Sequence, residues 1–64
     1  MAHVYRVAYT AYGSTLTTVF QDPQEDGISA EQKALDYIDA ARRSPPEVRA
    51  SCVVTRDGTF WKKS

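Results

Sequence analysis

The chain has 64 residues, 42% of them hydrophobic and 25% charged, with eight Lys and Arg set against eight Asp and Glu. A chain this short buries only about 60% of the surface its unfolded form exposes, so its stability is thin and a deep catalytic cleft is hard to wall in. Zero formal charge supplies no long-range attraction to nucleic acid or to an anionic membrane, and the composition is that of a folded globule, unlike a disordered tail.

Residues 1–7 hold no long apolar stretch, so no signal peptide is expected. From Val4 to Tyr12 the pattern alternates: Tyr5, Val7, Tyr9 and Ala11 share one face, and Arg6, Ala8 and Thr10 the other. Gly13-Ser14 suits a two-residue type II′ turn, with glycine at the position of positive φ. That turn sets Ala11 opposite Leu16, Tyr9 opposite Thr18 and Val7 opposite Phe20, with all six on one face.

Residues 21–27 are polar and carry Pro23, which predicts a loop. Asp22, Gln24, Asp26 and Gly27 match the first, third, fifth and sixth places of a calcium-binding EF-hand loop. The twelfth place, where a bidentate glutamate belongs, is Lys33, and a strand leads in where a helix should. The segment reads as a solvated acidic turn whose Asp22, Glu25 and Asp26 can meet a basic partner surface without a metal. No cofactor or metal is expected.

Ser29 is a good N-cap, and Gln32 three residues on can complete a capping box. A helix over 30–43 follows, roughly 21 Å long. Ala34, Leu35, Ile38 and Ala41 form its apolar stripe with Tyr37 on the edge; Glu31 complements one end of the dipole and Arg42 and Arg43 the other. Asp39 can pair with Arg42 or Arg43. Ser44-Pro45-Pro46 stops the helix. A second hairpin is expected over 48–62, turning at Asp57-Gly58 in a type I′ turn that places Val54 opposite Trp61. Ala50, Cys52, Val54 and Trp61 then share one face, and Val53, Thr55, Phe60 and Lys62 the other. Cys52 is the one cysteine, which excludes an internal disulfide and fits the reducing cytoplasm.

The predicted fold class is α+β: one small domain over 1–64, ordered β-β-α-β-β, in which a four-stranded antiparallel sheet carries one helix on one face. The linkers around the helix permit more than one strand order. One helix cannot cover both faces, and this is the lever on function. Phe60 and Trp61 are adjacent in a strand and point to opposite faces. With Trp61 inward beside Ala50, Cys52 and Val54, the open face carries Val4, Ala8, Tyr12, Val19, Val53 and Phe60, interleaved with Arg6, Thr10, Thr17 and Lys62. Arg6, Tyr12, Val19, Val53, Phe60 and Lys62, with the acids Asp22, Glu25 and Asp26, are the candidate partner-binding residues.

No nucleophile–base pair, metal constellation or phosphate loop can be assembled from the residues, so the chain reads as non-enzymatic. His3 and Cys52 have no visible logic joining them, and Cys52 reads as a small core hydrophobe. Two functions remain. One is a protein-binding module, an inhibitor or adaptor, that docks by the open face or by adding an edge strand to a partner sheet; a homodimer with stacked open faces is a variant. The other is a nucleic-acid-binding domain using Phe60, Arg6 and Lys62, for which the basic footprint is missing. No stretch is long and apolar enough to predict a membrane span.

Two strands, a helix opening Ser29-Ala30-Glu31-Gln32-Lys33-Ala34, and strands ending Phe60-Trp61-Lys62 resemble, in their order, some very small phage-encoded proteins, anti-CRISPR inhibitors among them. The resemblance spans most of the chain without a diagnostic motif. It implies a non-enzymatic inhibitor that docks on a bacterial protein complex, and identifies no residues. The acidic surface of the DNA-mimicking members is absent here, which argues against mimicry.

Overall fold

A computed structural model describes residues 2–61. The elements are β1 (Val4–Ala11), β2 (Ser14–Gln21), α1 (Ala30–Arg42), α2 (Pro46–Ser51), β3 (Val53–Arg56) and β4 (Thr59–Phe60). All four strands are antiparallel neighbours in one open sheet, in the order β2-β1-β3-β4. The α+β order β-β-α-β-β is therefore present, with β1 and β3 central and β2 and β4 at the edges.

The first hairpin turns one residue earlier than Gly13-Ser14. Tyr12 and Gly13 are the central pair, at φ 53° and 76°, which is a type I′ turn. Tyr9 therefore faces Leu16, Val7 faces Thr18 and Tyr5 faces Phe20. Each expected pairing is displaced by two residues, and an even displacement keeps every side chain on its predicted face. The second turn is type I′ at Asp57-Gly58 as expected, with φ 53° and 82°. Trp61 N–H donates to the Val54 carbonyl (2.9 Å), so these two are opposite one another.

The second hairpin is shorter than the 48–62 expected, because residues 46–51 are helical. Pro46 occupies the start of α2, where its missing N–H costs nothing, Glu47 lies in the first turn and Arg49 in the last. Ala50 is thus on a helix, outside the strand face predicted for it. Ser51 then ties α2 to the sheet. Its Oγ accepts from Thr10 N–H (2.9 Å) and lies 2.9 Å from the Val48 carbonyl, serving the β1 amide that a longer β3 would have served.

Helix α1 lies over β1 and β2. Ser29 Oγ accepts from Gln32 N–H (3.1 Å), while the Gln32 side chain turns forward to Asp36 (3.0 Å) and leaves the capping box half made. A second cap comes from the loop, where Asp22 Oδ1 accepts from Ala30 N–H (2.8 Å). Arg43 closes the other end, paired with Asp39 at 2.8 Å. The buried core is Tyr5, Val7, Ala30, Ala34 and Val54. Tyr9, Phe20, Tyr37, Ile38, Cys52 and Trp61 pack around it, so Tyr37 joins the contact stripe it was expected to border. Trp61 stands edge-on to Tyr5 at 5.0 Å, and Tyr37 reaches both Phe20 (5.5 Å) and Tyr9 (6.2 Å). Alanines at 30 and 34 let the helix backbone approach the sheet closely.

Asp57 clamps the N-terminal end of β1. Its N–H donates to the Val4 carbonyl (2.8 Å), its Oδ1 accepts from Val4 N–H (2.9 Å), and its Oδ2 meets His3 Nδ1. The Val4 N–H first, then His3, hold the Asp57 carboxyl below its ordinary value. A carboxylate depressed in the folded state contributes stability above its unfolded pKa and loses it as pH falls through the folded value. Asp26, held down by Lys33 and Ile28 N–H, adds to the same limb. We expect the thermal midpoint to fall as the pH drops into and below the ordinary carboxylate range. Asp57→Asn, which keeps a residue suited to the I′ turn, should flatten part of that fall; an unaltered slope in pH-resolved calorimetry would refute the clamp.

A candidate binding surface on the open sheet face

Both helices pack on the side of Tyr5, Val7 and Val54, and no described element covers the other side of the sheet. The strand registers place the open-face residues in rows. Val19, Arg6, Thr55 and Phe60 form one row across all four strands, and Thr17, Ala8 and Val53 the row beside it. Phe60 is 66% exposed, Val19 54% and Val53 42%. Arg6 is exposed in the middle, and no hydrogen bond or ion pair engages it among the described residues. Thr10 and Thr15 pair across the same face with hydroxyls 3.4 Å apart.

Of the candidates named from sequence, Arg6, Val19, Val53 and Phe60 are brought together. Tyr12 is not among them: it stands at the tip of the first turn, wholly exposed, because the I′ turn takes it out of the strand. Lys62 lies outside the described residues. The acidic loop is separate from this face, since it carries the chain from β2 over to α1. Asp22 caps the helix there, and Asp26 meets Lys33 Nζ at 2.7 Å and accepts from Ile28 N–H. Among the described residues Glu25 is the loop carboxylate with no such tie. Lys33, which stands at the twelfth EF-hand place, also lies over the Phe20 ring at 5.7 Å. Among the described residues no group of three His, Cys, Asp or Glu side chains is placed to hold a metal.

The helix side carries a groove of about 300 Å³ that sequence reasoning missed, lined by Ile38, Ala41, Arg42, Arg49, Cys52, Val54 and Trp61, with Phe60 of β4 also bordering it. It exists because α1 covers β1 and β2 and stops short of β3, while α2 closes only one end. The available signal was Pro46-Glu47, a helix start. Burial pushes the Cys52 thiol above its ordinary pKa, which keeps it protonated and a poor nucleophile near neutral pH. No described helix is long and apolar enough to cross a membrane.

No protein-family model matches this chain, and no curated protein or solved structure matches it either.

Proposed function

We propose that this chain is a non-enzymatic protein-binding module that docks through the open face of its sheet. The observation that carries this reading is the row Val19, Arg6, Thr55 and Phe60, in which an unengaged guanidinium lies between apolar contacts at both ends. Such a row suits a protein surface that sets a carboxylate among apolar side chains. The charge-assisted pair fixes orientation, and Phe60 and Val19 supply the desolvated area in which binding energy concentrates. Arg6 is the one cation among the described face residues, too little positive charge for the alternative of nucleic-acid binding. The resemblance to small phage-encoded inhibitors makes a bacterial protein complex the partner to try first.

The test is capture from bacterial lysate by the immobilised protein, with and without nuclease. Phe60→Ala and Arg6→Glu should each weaken capture of the same partner by roughly tenfold or more, with thermal midpoints close to the parent because both side chains are exposed. Capture abolished by nuclease, or unchanged in both variants, would overturn the reading.

A further inference from the structure

Edge strand β2 has its outer side unguarded. Its eight residues, Ser-Thr-Leu-Thr-Thr-Val-Phe-Gln, contain no charge, proline or glycine, and they pair with β1 in unbroken register without a bulge. Folded proteins usually protect an edge with at least one of these devices, because an open row of N–H and C=O groups recruits another strand.

The main-chain groups that stay free can be identified. A two-residue turn closes on a hydrogen-bonded pair, here Ala11 and Ser14, and antiparallel pairing alternates from there. Ser14, Leu16, Thr18 and Phe20 therefore bond to β1, and Thr15, Thr17, Val19 and Gln21 point their amides outward. The same alternation, read across β1, accounts for the Thr10 N–H to Ser51 and Asp57 N–H to Val4 bonds on its other side. The outward carbonyl of Gln21 is taken by the Gln24 side chain. Thr15, Thr17 and Val19 remain, a set symmetric about Thr17.

We infer that β2 pairs with β2 of a second copy of this chain, antiparallel and centred on Thr17. A two-fold axis through that point sets Thr17 opposite Thr17 and Thr15 opposite Val19, and leaves none of the free groups unmatched. Only odd residues then oppose odd ones, which a closed pair about an axis normal to the sheet requires. The other edge offers less to pair with, because among the described residues β4 has only two. Facing strands carry no like charges, the balanced net charge does not repel a second copy, and β-branched side chains meet across the seam. The product is an eight-stranded sheet with all helices on one side and two open faces side by side on the other. This inference is independent of the docking proposed above: a chain that stays monomeric leaves the open face available, and loss of capture by Phe60→Ala says nothing of β2.

Sedimentation velocity across about a hundredfold range of concentration should show a monomer–dimer equilibrium. Thr17→Pro removes an outward N–H without touching the β1 ladder, as proline is tolerated on an edge, and should weaken dimerisation by roughly tenfold or more. Thr17→Lys and Thr17→Glu should each weaken it by roughly fivefold at low salt, since like charges would face each other on the axis. An equimolar mixture of these two should recover a heterodimer. Circular dichroism checks that each variant retains the fold. A monomeric parent, a dimer indifferent to all three substitutions, or a mixture that fails to recover would each overturn the pairing.

Discussion

Replacing Tyr5 with alanine is expected to unfold the domain outright. Tyr5 is 2% exposed and is the bulkiest of the five buried side chains among the described residues. It sits on central strand β1, between Phe20 on one neighbour and Arg56 on the other, with Trp61 edge-on at 5.0 Å. Deleting a buried aromatic costs about 3–5 kcal/mol in lost transfer energy and cavity formation. A single core below roughly 70 residues seldom supplies more than about 3–5 kcal/mol in total, so little or nothing would remain. Far-ultraviolet circular dichroism at room temperature decides it. A cooperative melt within a few degrees of the parent would show that the aromatic cluster is not what holds the layers together.

Trp61→Ala should be the next most damaging change, while its neighbour Phe60→Ala should be nearly silent in stability. Trp61 follows directly on β4 and packs on the core beside Val54, whereas Phe60, the last residue of β4, lies opposite Thr55 in the row of the bare face. Trp61 is half-buried, so its loss should cost about 2–3 kcal/mol, toward the lower end for aromatic truncation. At about 4–8 °C per kcal/mol for a domain of this size, the midpoint should drop by roughly 10–20 °C. Phe60→Ala should move it by no more than a few degrees. The opposite ranking in matched thermal melts would mean that the two faces of the sheet are inverted.

Much of this architecture was legible in short-range signals. Asp57-Gly58 is a strong I′ pair, and it set the register that brings Trp61 opposite Val54. Ser29 at the cap and the Ala34, Leu35, Ile38 and Ala41 spacing placed α1 within one residue of its observed end, although Leu35 is not among the residues packed in the core cluster. The errors came where two local readings compete. Gly13 can be the first residue of a II′ turn or the second of an I′ turn, and the choice depends on whether Tyr12 accepts a positive φ. The strand twist favours I′, and Tyr12 yields. Likewise Val48, Ala50 and Cys52 alternate over too few residues to separate a strand from a helix that begins at Pro46. The Ser51 contact with Thr10 accompanies the helical choice, across a separation in sequence that no local pattern reports.

The candidate surface divides in the same way. That Arg6, Val19, Val53 and Phe60 share a face follows from period-two alternation, which survives a register error of two residues. That Asp22 and Asp26 are engaged within the fold depends on how the loop bends back to Ala30 and Lys33, and that Tyr12 leaves the face depends on the turn type adopted.

By itself the amino-acid order determined the first two strands, the hairpin at Asp57-Gly58, which side of each strand is apolar, and that a lone long helix leaves a bare layer. Those properties are set by neighbours two to four positions apart. Tertiary structure alone decided that β1 and β3 are central and that β2, without a charge or a proline along its length, is left at the rim. Strand order is a matter of how linkers of similar length close around the core, and alternation along a single strand carries no record of it.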